Sequence, residues 1–133
     1  PRLQDFIYPF RSLIDAGATC ALSSDWGVST LNPFKIMQVA ITRQPPVAGH
    51  NEPAYLPQQR MTLEECIKGY TTYAAAAAWR TADTGSLEPG KYADLIVLDR
   101  DLFAIDPHEI ADTQVMLTLL EGREVYRDGR FDG

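Results

Sequence analysis

Cysteine and histidine are both scarce in this chain, which has two of each among its 133 residues. Cys20 and Cys66 lie far apart and form no C-x-x-C pair, so a disulfide framework is excluded. Two small buried thiols are typical of a reducing compartment, and the expected location is the cytoplasm. His50 and His108 have no further ligand types at metal-motif spacings, and we expect both to be surface residues.

Long apolar runs and basic stripes are also missing. No run approaches the ~18 apolar residues that a membrane helix needs. Acidic residues outnumber basic ones by 18 to 12, whereas nucleic-acid binding draws on cationic contacts to phosphate. The sequence has no dinucleotide fingerprint, phosphate-binding loop or nucleophile elbow. We therefore expect neither a membrane nor a nucleic-acid partner. The composition, 45% hydrophobic and 23% charged, is that of a globular domain.

The first forty residues follow a helix–strand–helix pattern. Residues Asp5–Gly17 predict a helix with Pro9 in its first turn, where the missing N–H does no harm, and a closing glycine as its stop. The short apolar run Ala18–Leu22 predicts a strand buried on both faces, as in a parallel sheet. Asn32 is a cap for a second helix that starts at Pro33.

A stretch with four prolines, Gln44–Arg60, separates this unit from the next helix, and loops of this length are often functional. Thr62 and Glu65 form a capping-box pattern, which predicts a helix that continues to about Trp79. The alanine run of this helix favours close packing over a cofactor role.

The character of the chain changes after Thr81, where strand patterns replace helical ones. The run Ala93–Asp99 predicts an apolar strand, and Pro107–Ile110 predicts a single helical turn. Residues 114–120 and 124–127 flank a Glu-Gly-Arg turn and predict a hairpin. The expected fold class is therefore α/β in the first part, with a β-rich tail.

Asp25 is the strongest candidate for chemistry, because it directly follows the predicted strand Ala18–Leu22. The carboxyl ends of strands carry the catalytic groups in (β/α) barrels. A carboxylate on such a rigid element can bind a metal or accept a proton. The alternative is that Asp25 caps the following loop by bonding to its backbone, as aspartate commonly does. Spacing alone leaves both interpretations open.

Several stretches of the sequence resemble the amidohydrolase superfamily. Residues Asp15–Ser29 are similar to its last barrel strand, with Gly27 at the proline of the G-S-D-W-P-V pattern, and the next helix ends in Thr42-Arg43, as in the family. The likeness is to the metal-dependent hydrolase branch that contains N-substituted formamide deformylases and proteins described as exoenzyme regulators. The remaining stretches are Leu63–Thr71, Gly85–Asp99 and Leu117–Tyr126.

This resemblance implies that the chain is the closing portion of a larger enzyme. Residues 1–80 would be the last α/β unit of a (β/α)8 barrel, and residues 81–133 would be the C-terminal strands of a small β-sandwich. Asp94, in the Gly85–Asp99 stretch, is expected to be a buried carboxylate satisfied by backbone N–H groups.

The resemblance also implies a reaction, the hydrolysis of an amide-type C–N bond by a metal-activated water. Asp25 matches the family aspartate that takes the proton of this water, passes it to the leaving nitrogen and often touches the metal. Trp26 would line the pocket of the small-molecule substrate, although packing is an equally good role for so large a ring. The cofactor would be a divalent metal, with zinc as the expected identity.

The chain departs from the family by lacking the H-x-H motif and the further metal ligands of the middle strands. We therefore expect the 133 residues alone to bind no catalytic metal and to be inactive. The alternatives are a non-catalytic regulatory or partner-binding module and a scaffold element of a larger homo-oligomer.

Overall fold

The computed structural model describes residues 2–46 and 52–131. No helix in these residues has both the length and the apolar character that crossing a membrane requires. The described part contains four α-helices, three short 3₁₀ helices and three β-strands. The α-helices are α1 (Phe10–Asp15), α2 (Pro33–Thr42), α3 (Leu63–Tyr70) and α4 (Thr72–Ala77), and the strands are β1 (Leu95–Leu98), β2 (Val115–Leu120) and β3 (Arg123–Arg127). The 3₁₀ helices are Leu3–Phe6, Pro57–Gln59 and Pro107–Asp112.

The first predicted helix is shorter than expected and is split in two. A 3₁₀ helix ends at Phe6, and α1 begins only at Phe10, with Pro9 as its N-cap rather than in its first turn. Tyr8 has a φ of 52° in the interruption, and Pro9 after it disfavours a right-handed helical conformation at this residue. The predicted stop is confirmed, since Gly17 has a φ of 88° and its N–H donates to the carbonyl oxygen of Ile14 at 2.8 Å.

The strand predicted for Ala18–Leu22 is not formed as part of a sheet. The three strands of the described residues pair only with one another, so this segment has no ladder. Its Leu22 N–H instead donates to the carbonyl oxygen of Gly69 in α3. Leu22 and Cys20 are half-buried and the other three residues are exposed, which corrects the expectation of burial on both faces.

Helix α2 forms as predicted and contributes most to the core. The Asn32 side chain accepts hydrogen bonds from the N–H groups of Phe34 and Lys35, which confirms the cap. The buried face of α2 packs against the 3₁₀ helix Pro107–Asp112, whose Ile110 is fully buried. The core cluster consists of Phe34, Met37, Ala40, Met61, Cys66, Leu102 and Ile110.

The helix predicted from Thr62 to about Trp79 is interrupted. Its capping box is confirmed, because Thr62 and Glu65 exchange side-chain and backbone hydrogen bonds. The helix breaks at Thr71, whose hydroxyl donates to the carbonyl oxygen of Ile67 at 2.7 Å and competes with the helical ladder. The second segment, α4, ends at Ala77, and Trp79 is 93% exposed.

The three strands form an antiparallel sheet in the order β1-β2-β3. The predicted hairpin is confirmed, since β2 and β3 are joined by Glu121 and Gly122, with φ values of 52° and 76°. Two successive positive φ values give a turn whose twist matches that of the flanking strands. All residues of β3 are exposed. The tail is thus the β-rich unit that the sequence predicts.

Candidate functional site

The segment that precedes Asp25 is held against α3 by the small size of Gly69. Leu22 N–H donates to the Gly69 carbonyl oxygen at 3.0 Å. A Cβ added at Gly69 would lie 2.8 Å from Cγ of Leu22 and 3.1 Å from the carbonyl oxygen of Cys20. A glycine is therefore needed at this crossing, and the close approach fixes Leu22 three residues before Asp25.

Asp25 lies at the start of a tight turn that displays its side chain. Its N–H donates to Oγ of Ser23 at 3.3 Å, and its carbonyl oxygen accepts from the Val28 N–H at 2.8 Å. Asp25 has a φ of 48°, a left-handed conformation that aspartate tolerates better than most residues. The main chain thus closes the turn, and the exposed carboxylate accepts no hydrogen bond from residues 2–46 or 52–131.

Trp26 is the neighbouring residue and is 68% exposed. Val28 and Leu31, later in the same loop, are 84% and 64% exposed. The loop therefore presents an acid beside a set of apolar side chains. Large exposed apolar groups of this kind are typical of surfaces that contact a ligand or another part of a protein.

Both histidines were expected at the surface, and His108 is half-buried in the structure. His50 lies outside the described residues. Nδ1 of His108 is 2.8 Å from Oδ1 of Asp106, and Nε2 of His108 is 2.8 Å from Oε1 of Gln44. Within the described ranges, no group of three or more His, Cys, Asp or Glu residues could hold a metal ion.

A sequence model described as the amidohydrolase family matches residues 1–126. The chain belongs to the amidohydrolase family. The resemblance noted from its motifs is thereby confirmed. The chain is 35% identical over 116 residues to an N-substituted formamide deformylase of Arthrobacter pascens, and the match covers 87% of this chain and 21% of that protein. It is also 35% identical over 118 residues to an imidazolonepropionase of Porphyromonas gingivalis, and this match covers 89% of this chain and 25% of that protein.

The chain therefore spans about a fifth to a quarter of the length of these amidohydrolase-family relatives. A crystal structure of an amidohydrolase from Thermotoga maritima matches 91% of this chain and 26% of its own, with a TM-score of 0.64. Since the two sequences are only 22% identical, this likeness concerns the fold. It supports the mixed helix and strand architecture described above.

Asp94 takes part in a structural network of this amidohydrolase-family chain. Its Oδ1 accepts the Glu121 N–H at 2.8 Å, and its Oδ2 accepts the Thr84 hydroxyl at 3.2 Å. The expected hydrogen bonding to backbone thus involves one N–H group, and the second partner is a side chain. Asp94 is half-buried rather than buried, and it ties the β2–β3 turn to the start of β1.

The two cysteines differ more than expected. Cys66 has no exposed surface and lies in the core, and burial raises the pKa of its thiol to about 12. Cys20 is half-buried beside α3. The expectation of a buried thiol is confirmed for Cys66 alone.

Arg43 is a residue that sequence reasoning did not single out beyond its place in the Thr42-Arg43 helix end. It follows α2 in a left-handed conformation with a φ of 59°, and it is 8% exposed. Its guanidinium contacts backbone carbonyl groups of two distant segments. No local pattern identifies such a residue, because its partners are 12 and 36 positions away.

Proposed function

We propose that this chain is the C-terminal part of a metal-dependent hydrolase that cleaves an amide-type C–N bond, with Asp25 as its proton-transferring residue. The observation that carries the proposal is the exposed carboxylate of Asp25, which follows a segment held against α3. Membership of the amidohydrolase family supports the reaction class. The names of the relatives, a formamide deformylase and an imidazolonepropionase, support it further.

The proposed architecture divides the chain at about residue 80. Residues 1–80 are the last α/β unit of a (β/α)8 barrel, and residues 81–133 are the C-terminal strands of a β-sandwich. In this arrangement Ala18–Leu22 is the last barrel strand and Asp25 stands at its carboxyl end, where barrel enzymes carry their catalytic groups.

The metal of the proposed enzyme is a divalent cation, with zinc as the expected identity. The described residues do not fit a complete site for it, because they offer no cluster of three ligands around Asp25. The described residues therefore contribute the Asp25 carboxylate to this site, and the remaining ligands belong elsewhere in the proposed protein.

The proton chemistry depends on Asp25 itself. Its carboxylate accepts a proton from the attacking water as the oxygen–carbon bond forms. The protonated acid then donates this proton to the nitrogen as the carbon–nitrogen bond breaks, so that an amine leaves and the carboxylate is restored. The Asp25 N–H donates to Oγ of Ser23 and the Asp25 carbonyl oxygen accepts from the Val28 N–H, which orients Asp25 without occupying its carboxylate oxygens. Trp26 provides an apolar wall for the substrate beside it.

The decisive experiment uses the protein encoded by the complete reading frame that contains this sequence. Formation of a free amino group from a panel of N-substituted formamides and cyclic amides is measured before and after metal removal. We expect hydrolysis that chelation abolishes and that zinc restores. A protein that folds and binds zinc but forms no free amino group from any of these substrates would support a non-catalytic module instead, as would a reading frame that encodes no H-x-H motif.

A further inference from the structure

A cavity of about 360 Å³ lies along α2, between this helix and the segments on either side of Asp25. Small-molecule sites begin at about this size and combine an apolar lining with a few polar groups. The cavity has this composition. Its polar residues are Ser23, Ser29, Thr30, Lys35 and Arg43, and its apolar wall includes Tyr8, Phe10, Leu22, Ile36 and Val39.

Arg43 is the most buried cation of this cavity. Its Nε donates to the carbonyl oxygen of Tyr55 at 3.0 Å, and one Nη donates to the carbonyl oxygen of Ile7 at 3.4 Å. The guanidinium carbon lies 5.9 Å from the centre of the Tyr55 ring. These neutral partners satisfy part of the guanidinium and leave its charge uncompensated.

No carboxylate of the described residues contacts Arg43, and residues 47–51 contain no aspartate or glutamate. Burial lowers the pKa of the Arg43 guanidinium, with a smaller opposing contribution from Tyr55 and Tyr8. Arginine nevertheless stays charged in proteins, so the cavity contains a buried cation that no carboxylate of residues 2–46 or 52–131 pairs. Buried charges are normally paired, and an anionic ligand would supply this pair.

Lys35 adds a second positive charge to the lining. Its backbone N–H is used by the Asn32 cap, whereas its ammonium group makes no hydrogen bond or ion pair with a described residue. The described residues of the lining thus include two cations, Lys35 and Arg43, and no aspartate or glutamate. The hydroxyl groups of Ser23, Ser29 and Thr30 can add hydrogen bonds to an anionic or polar group.

We propose that this cavity binds a small amphipathic monocarboxylate, with the carboxylate at Arg43 and the apolar body along α2. One negative charge matches the buried guanidinium, and the hydrocarbon body matches Phe10, Ile36 and Val39. A strongly hydrated dianion such as phosphate fits less well, because most of the wall is apolar. This proposed binding does not depend on proton transfer at Asp25, because its test measures binding rather than hydrolysis, so the two proposals can fail separately.

The test is a titration of the protein encoded by the complete reading frame with phenylacetate and with 2-phenylethanol, a neutral analogue without a hydrolysable bond, followed by amide chemical shifts. We expect saturable shifts at Leu22, Ile36 and Val39 with phenylacetate, and at least about tenfold weaker binding of 2-phenylethanol. This comparison needs no mutation and is therefore independent of folding defects. Equal binding of both probes, or no saturable binding of phenylacetate, would overturn the proposal.

Substitutions test whether Arg43 or Lys35 binds the carboxylate of phenylacetate. We expect Arg43→Gln to weaken phenylacetate binding by at least about tenfold and Lys35→Gln to weaken it about two- to fivefold, with a reduced dependence on salt. The control is Arg60→Gln, because Arg60 is exposed, donates to the carbonyl oxygen of Thr42 and does not line the cavity. If Arg43→Gln fails to fold, the Lys35→Gln titration decides. Unchanged affinity and salt dependence in Lys35→Gln would count against the site.

Discussion

The N–H of Leu22 and the carbonyl oxygen of Gly69 are joined by a 3.0 Å hydrogen bond between two segments that share no sheet. This bond, and the missing side chain at Gly69, fix the position of the segment that leads to Asp25. The carbonyl oxygen of Gly69 is available because the ladder of α3 breaks at Thr71. The interruption of the helix and the position of the candidate acid are thus connected.

The first prediction concerns Gly69→Ala. The new Cβ would lie 2.8 Å from Cγ of Leu22, so we expect overpacking to cost about 1–3 kcal/mol, partly offset by the better helix propensity of alanine. Urea denaturation gives the change in free energy of unfolding, and hydrogen exchange reports the Leu22 amide. Gly129→Ala is the control, because no atom lies within 4 Å of its new Cβ. Unchanged stability together with an unchanged Leu22 exchange rate would contradict the close-packing argument.

The second prediction concerns Asp25→Asn in the protein from the complete reading frame. Asparagine keeps the shape and cannot accept or donate the proton, so we expect kcat for amide hydrolysis to fall by at least about a hundredfold. Circular dichroism should remain unchanged, since the carboxylate makes no hydrogen bond within the described residues. Asp15→Asn, on the exposed face of α1, should leave kcat unchanged. Near-normal turnover in Asp25→Asn would remove Asp25 from the mechanism.

The third prediction concerns the pH dependence of stability. Arg11 forms an ion pair and a hydrogen bond with Glu65 and holds the pKa of Glu65 below its ordinary value of 4.5, with the Thr62 N–H helping. A lowered folded-state pKa stabilises the protein above the unfolded pKa. This stabilisation is lost as the pH falls through the folded value. We therefore expect the free energy of unfolding to decline below about pH 4.5.

Glu65→Gln removes the charge of residue 65 and keeps the helix cap, because glutamine also completes a capping box. We expect this variant to be less stable than the parent at pH 7 and to show a shallower decline below pH 4.5 in urea titrations. Glu109→Gln is the control, since Glu109 is exposed in the first turn of the Pro107–Asp112 helix. If the free energy of unfolding declined equally below pH 4.5 in Glu65→Gln and in the parent, the ion pair would contribute nothing to stability.

The fourth prediction assigns Asp94 to architecture. Asp94→Ala leaves the Glu121 N–H and the Thr84 hydroxyl without their acceptor, so we expect a loss of about 1–3 kcal/mol in the free energy of unfolding. Asp94→Asn should recover much of this loss, because its amide oxygen can still accept from Glu121. Thermal denaturation compares the three proteins. A stable Asp94→Ala variant that has lost hydrolysis would instead place Asp94 in the catalytic machinery.

The fifth prediction distinguishes the two thiols by their reactivity. Because burial raises the pKa of Cys66 to about 12, almost none of it is thiolate at neutral pH, and its side chain is inaccessible. We expect one equivalent of a thiol reagent to label Cys20 in the folded protein and a second to label Cys66 only after unfolding. Mass spectrometry of peptides identifies the labelled site, and Cys20→Ser should show no fast phase. Rapid labelling of Cys66 in the native protein would contradict its burial.

Features set by neighbours in sequence were predictable. The Asn32 cap, the box between Thr62 and Glu65, and the turn at Glu121-Gly122 all depend on contacts within three residues. Their hydrogen bonds join residues that are already neighbours in the sequence. These elements therefore agree with the structure almost residue by residue.

Features set by distant contacts were not predictable in the same way. The strand at Ala18–Leu22 needs a partner that no local pattern supplies, and the break at Thr71 depends on a side-chain bond that competes with the helix. Arg43 looks like an ordinary surface residue in the sequence, and only the approach of Ile7 and Tyr55 buries it. Asp25 was found through its place after an apolar run, and its catalytic role stays a prediction.

The order of the small sheet bears on how the chain behaves at high concentration. Among the described strands, β1 and β3 each pair on one side only, so each offers a row of backbone groups to another molecule. Strand β3 carries Arg123, Glu124 and Arg127, and such charges discourage edge-to-edge pairing between copies. Strand β1, Leu-Ile-Val-Leu, has no charge and is the side on which aggregation would nucleate. Ile96 on this strand is 47% exposed, and replacing it with lysine would place a charge that opposes such pairing.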